Sequence, residues 1–176
     1  MAAVVSCRDG SHCERLAAYA RTFGWRLGLL SNELDTLERG AVLHDIGNTA
    51  IPDALLRKKG RLTPDERALV QLHTVIGDRL LRPIASLERV RPIVRYHHER
   101  FDGTGYPDGL RGNDIPLLAQ IVGIVDVFDA LTTERPYKRA YSFASAFEEL
   151  RWEVEVGWRR HDLVEEFIAA IQLLRP

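Results

Sequence analysis

The chain has 176 residues, 45% of them apolar and 28% charged, with a formal net charge of −1. This composition supports one ordinary buried core and excludes a disordered chain. The near-zero charge supplies no global field for DNA, RNA or an anionic membrane, so an anionic ligand requires a local positive feature such as a metal. The longest apolar stretch, Ile115 to Leu131, is broken by Gln120, Asp126 and Asp129, which excludes a bilayer span of about 20 apolar residues. The opening Met-Ala-Ala-Val-Val-Ser-Cys has no basic lead and too short an apolar run for a secretory signal, so a cytoplasmic protein is expected. Cys7 and Cys13 have no CxxC spacing and are expected to be reduced thiols.

Helical spacing recurs along the chain without sustained period-2 alternation, which predicts an all-α fold, a single helical bundle of about seven helices in one domain over 1–176. Leu16, Tyr19, Ala20, Phe23 and Leu27 predict a first helix over about 12–30, with His12 in its opening turn. Leu34, Leu37, Ala41 and Val42 predict a second, with His44 and Asp45 in its last turn and Gly47 as the stop. Thr63-Pro64-Asp65-Glu66 reads as the start of a third, which bears His73. A fourth begins near Ser86 and carries Val90, Ile93 and Val94 into His97 and His98. Between Phe101 and Pro116 the glycines and prolines are too frequent for regular structure, so an ordered functional loop is expected. A fifth helix over about 117–132 is apolar on most faces yet holds Asp126 and Asp129, whose burial requires compensation. Two more, at about 143–156 and 162–174, pack through Trp152, Phe167, Ile168 and Ile171.

Five of the six histidines, His12, His44, His73, His97 and His98, stand at or near helix ends, accompanied by Asp45 and Asp126. Consecutive helical residues diverge by about 100°, so the pairs His44-Asp45 and His97-His98 converge on one centre only where a helix ends. Imidazole and carboxylate suit Fe, Mn, Zn or Co, and the lack of thiolate pairs argues against a structural zinc or iron-sulfur site. These donors suffice for two metal ions, which can hold a hydroxide between them for in-line attack on phosphorus.

His44-Asp45-Ile46-Gly47 with Ile51-Pro52-Asp53, and His97-His98-Glu99-Arg100-Phe101-Asp102-Gly103-Thr104-Gly105-Tyr106-Pro107, resemble the HD and GYP signatures of the HD-GYP family. Leu62-Thr63, Glu66, His73 with Gly77, Asp126-Val127-Phe128-Asp129-Ala130-Leu131-Thr132 and Arg135-Pro136-Tyr137-Lys138 are similar to the family as well. The resemblance covers about 11–150 in order and spacing, with divergent C-terminal helices over 151–176. It implies an HD-type helical bundle that hydrolyses cyclic di-GMP to pGpG or GMP. It further implies His12, His44, Asp45 and Asp126 on one metal, with Asp45 bridging to a second held by His73, His97 and His98. Fe or Mn are the metals expected, with Zn, Co and Ni as alternatives. Arg135 and Lys138 resemble residues that contact the nucleotide's phosphates, the other reading being a solvated basic turn. Tyr106 either forms a rim over the guanine or fixes the loop. Glu99 and Asp102 either orient ligand imidazoles or accept backbone amides.

Asn48 stands where the family usually places a lysine that reaches a phosphate, and it brings a hydrogen bond but no charge. Arg8 replaces a glutamate that supports a third metal in some relatives, which argues against a trinuclear centre. Two alternatives therefore stand beside the phosphodiesterase: a catalytically weak or inactive domain that binds cyclic di-GMP or a partner protein, and an HD phosphohydrolase acting on another cyclic dinucleotide or nucleotide. A regulatory protein docked on the GYP loop and a homodimer complete the expected partners, with no DNA, RNA or membrane.

Overall fold

A computed structural model describes residues 10–134 and 139–174. Helix α1 (Gly10–Arg26) buries Leu16, Ala20 and Phe23 on one face. It stops short of the expected Leu30 because Gly28 takes a left-handed φ of 75°, and Leu29 N–H and Gly28 N–H turn back to the carbonyls of Gly24 and Trp25, both at 3.0 Å. Helix α2 (Ser31–Leu43) follows, its start fixed by Glu33 Oε2 accepting from Leu30 N–H at 2.9 Å. His44 caps its end and Asp45 lies just beyond.

A 3-10 turn over Ile46–Ala50 and the single-turn α3 (Asp53–Leu56) lead to α4 (Pro64–Leu81). The start of α4 is the one expected: Thr63 Oγ1 accepts from Glu66 N–H at 3.2 Å and Glu66 Oε2 from Thr63 N–H at 2.8 Å. Helix α5 (Arg91–Tyr96) is shorter than predicted. Pro92 has no N–H to donate, so the chain from Ser86 cannot run as one α-helix, and a 3-10 turn over Ala85–Leu87 occupies its start. Helix α6 (Leu117–Thr132) has the expected bounds, and α7 (Phe143–Glu155) and α8 (His161–Gln172) close the fold. Eight α-helices and no strand are present among the described residues, one helix more than predicted because of α3.

The main core gathers α1, α2, α5, α6, α7 and α8 around Phe128 of α6, whose ring meets Tyr19, Phe143, Phe147 and Phe167 at 4.9–5.6 Å. Burying each large ring contributes roughly 1.5–3 kcal/mol. Phe167, Ile168 and Ile171 are buried as expected, whereas Trp152 is 44% exposed and meets Trp158 edge-on at 5.2 Å. A smaller cluster of Leu81, Val90 and Val94 joins α4 to α5. Cys13 on α1 is disulfide-bonded, which corrects the expectation of a reduced thiol; Cys7 and Arg8 lie outside the described residues. No helix among the described residues is long and apolar enough to cross a membrane.

Candidate metal centre

Three helix ends and the middles of two helices converge at one place in the bundle, His73 lying mid-helix and not near the end expected for it. The first turn of α1 supplies His12, the end of α2 supplies His44 and Asp45, α4 supplies His73, the end of α5 supplies His97 and His98, and α6 supplies Asp126. The turn after Asp45 reaches α4 only because residue 47 is glycine: a Cβ there would lie 1.9 Å from the His73 carbonyl oxygen. Gly47 thus serves close approach to α4, and not the left-handed cap predicted for it.

The seven predicted ligands come together in two groups, Asp45 with His73, His97 and His98, and His12 with His44 and Asp126. Within each group the available donor atoms lie within 4.8 Å of one another. Asp45 faces both. Its Oδ1 is 3.2 Å from His73 Nε2 and 4.0 Å from His97 Nε2, while its Oδ2 is 3.6 Å from His44 Nε2.

The tautomers are set from behind. Nδ1–H of His44, His73 and His97 donates to the carbonyls of Ala41, Val70 and Val94 at 2.8, 2.8 and 3.0 Å. A carbonyl only accepts, so the proton stays on Nδ1 and each Nε2 lone pair faces the cluster. All three Nε2 atoms are buried and lack a hydrogen-bond partner. Three inward-facing lone pairs beside two carboxylates fit divalent cations, one at each group, which would satisfy them.

Electrostatics agree with that donor set at His97 and His98, while His44 and Asp126 hold their protons more tightly in the absence of a cation. Burial, reinforced by the neighbouring imidazoles, holds His97 and His98 well below the ordinary histidine range, so they stay neutral and able to ligate. Burial alone would depress His44, yet Asp45 and Asp126 outweigh it and raise its pKa. Burial raises Asp126 despite the opposing pull of His44.

His12 is held by a residue that the sequence reading left without a role. Asp129, three residues after Asp126 on α6, places Oδ2 2.6 Å from His12 Nδ1, and its Oδ1 accepts from Arg15 Nε–H at 2.9 Å. The compensation required for this buried carboxylate is therefore an imidazole and a guanidinium, both on α1. The burial expected for Asp129 is observed at 1% exposure and makes a partner obligatory, while the partners themselves, on a distant helix, are not legible in sequence.

The remaining predicted residues divide. Tyr106 lies at the centre, its ring 4.8 Å from that of His98, and burial together with Asp45 and Asp126 raises its pKa, so its hydroxyl remains a donor. Asn48 is only 2% exposed, and neither its amide nitrogen nor its oxygen has a hydrogen-bond partner. Glu99 Oε1 accepts from Asp108 N–H at 2.8 Å, and Asp102 Oδ1 accepts from the N–H and hydroxyl of Thr104, which makes both carboxylates fasteners of the loop. Arg135 and Lys138 lie outside the described residues.

The C-terminal segment also reaches this site. The Trp158 carbonyl accepts from Phe101 N–H at 3.0 Å, and the Arg100 guanidinium lies 3.4 Å over the Trp158 ring. Arg159, paired with Glu153 at 2.8 Å, fills the notch at Gly123, where a Cβ would meet its Nη1 at 2.7 Å.

Comparison with known proteins agrees with this architecture. The model of the HD domain family matches residues 3–158. The cyclic di-GMP phosphodiesterase response regulator RpfG of Xanthomonas campestris pv. campestris is 43% identical over 151 residues, covering 83% of this chain and 40% of that protein. The 3'3'-cGAMP-specific phosphodiesterase 2 of Vibrio cholerae is 41% identical over 147 residues, covering 82% of this chain and 28% of that protein. The chain thus spans well under half the length of these relatives. Among solved structures, the HDG"Y"P protein Bd1817 of Bdellovibrio bacteriovorus superposes with a TM-score of 0.73 at 24% identity, over 92% of this chain and 51% of that one, and shows the fold.

Proposed function

The chain belongs to the HD domain family, with the motif blocks of its HD-GYP type, and on that premise we propose that it is a dinuclear-metal phosphodiesterase acting on cyclic di-GMP. The observation that carries this reading is the trio of buried, unpartnered Nε2 atoms on His44, His73 and His97 around the two-sided carboxylate of Asp45. In the proposal, His12, His44 and Asp126 would hold one divalent ion and His73, His97 and His98 the other, with the carboxylate of Asp45 available to both. Fe or Mn is the expected metal. Ions so placed supply Lewis acidity toward a phosphodiester oxygen and acidify water.

The protein's own groups do the rest. Backbone carbonyls and Asp129 keep His12, His44, His73 and His97 in the tautomer that points Nε2 inward, and the loop over 101–116 shapes the entrance. The Tyr106 hydroxyl offers a proton to an anionic oxygen. In the overall reaction, water oxygen bonds to phosphorus, the bond to the ribose 3′ oxygen breaks, and that oxygen takes up a proton, which gives linear pGpG. A cytoplasmic location and a cyclic dinucleotide substrate are parts of the same proposal.

One observation favours binding without turnover as a second reading. Asn48 carries no charge and is 2% exposed, so no cation reaches a phosphate from that position. Chain purified anaerobically, loaded with Mn or Fe(II) and incubated with cyclic di-GMP is expected to contain about two ions and to release pGpG. Tight binding with no product would establish the second reading, and fewer than two ions per chain would end the dinuclear one.

A further inference from the structure

The loop over 101–116 must hold Tyr106 against His98, and three restraints do so. Gly105 lies so close to the preceding segment that a Cβ would fall 2.3 Å from Arg100 N and 2.5 Å from Glu99 Cα, and Tyr106 N–H donates to the His98 carbonyl at 3.3 Å. Both restraints act on the near side of Tyr106. On the far side the loop is held through Asp108. Its carboxylate receives a two-point fork from Arg95 on α5, Nε to Oδ2 at 2.9 Å and Nη2 to Oδ1 at 2.8 Å. Its N–H is taken by buried Glu99 Oε1 at 2.8 Å.

Arg95 is itself braced. Asp78 of α4, 6% exposed, lies 3.6 Å from Arg95 Nη1 and accepts from Arg91 Nε–H at 2.8 Å. A fork of two parallel bonds fixes orientation as well as distance, which a single lysine contact cannot do. The fork thus ties the loop to the helix that ends in His97 and His98. We propose that Arg95 and Asp108 are positioning residues, whose bidentate pair, braced by Asp78, seats Tyr106 over the histidine cluster and so sets how tightly a cyclic dinucleotide is held at the entrance. Neither residue needs to touch the substrate or a metal.

The inference rests on the proposed function for its substrate but not for its geometry, so the test reads both. Full-length chain bearing Asp108→Ala, Asp108→Glu or Arg95→Lys is compared with wild type by hydrogen-deuterium exchange over 99–112 without metal, and by cyclic di-GMP binding and KM after Mn loading. Asp108→Ala and Arg95→Lys are expected to raise exchange in that segment alone, weaken binding or raise KM about tenfold, change kcat by less than about twofold, and leave metal content as in wild type. Asp108→Glu, which keeps a two-oxygen acceptor, is expected to recover most of the loss. Unchanged exchange and affinity in Asp108→Ala, or a glutamate variant as impaired as the alanine one, would overturn the positioning role. If wild type binds no cyclic di-GMP the substrate reading fails, while the exchange of the segment still decides the seat of the loop.

Discussion

His12 Nδ1 lies 2.6 Å from Asp129 Oδ2, joining the first turn of α1 to the last turns of α6 across 117 residues of sequence. The carboxylate fixes which ring nitrogen carries the proton, and so which one faces Asp126 and His44. Outer carboxylates of this kind are worth about 10–100-fold in metal affinity. Asp129→Asn is expected to weaken binding of one of the two ions by that factor and to leave the other unchanged, as resolved by metal titration calorimetry.

Removing a ligand from either group should separate the two sites. His97→Ala is expected to reduce bound metal from about two ions per chain to about one, and His12→Ala to do the same for the other ion, both read by elemental analysis. Asp45→Ala faces both groups and should cost both ions. Equal losses from all three variants would show a single site.

Gly47→Ala tests the approach of the turn after Asp45 to α4. The added Cβ would stand 1.9 Å from a backbone oxygen, so one segment must move. Overpacking of this severity costs on the order of 3 kcal/mol. Urea unfolding should show that loss, and metal affinity should fall with it because His73 and Asp45 flank the contact.

Acid should act through paired carboxylates. Arg95, Arg160 and Arg151 donate to Asp108, Asp162 and Glu165 and lower their pKa values. Each binds a proton less readily folded than unfolded, so its contribution is complete above the ordinary carboxylate value of about 4 and is lost as pH falls through the lower folded value. Asp108→Asn is expected to be less stable than wild type near pH 6, with the gap closing as pH falls below the ordinary carboxylate range. Urea midpoints across that range provide the measurement.

Much of the bundle was legible because its signals are local. The Thr63-Pro64 start of α4, the bounds of α6 and the convergence of adjacent ligand pairs at helix ends all follow from residues a turn or two apart. The illegible parts depend on distant packing. Nothing near Asp129 announces a partner on α1, and Asp102 and Glu99 could serve imidazoles or backbone until their hydrogen bonds showed the loop as their partner. The shortened α5 was readable in principle from Pro92, which the apolar spacing of Val90, Ile93 and Val94 obscured.

The contact of Trp158 with Phe101 and Arg100 bears on where a functional unit can be cut. A fragment ending near residue 150 would retain every side chain proposed to ligate metal, yet the loop beside His98 would lose the shelf on which it rests. Motif content and working unit therefore differ in extent. The divergent tail therefore contributes twice, a ring and a backbone carbonyl beneath the loop and Phe167, Ile168 and Ile171 in the core.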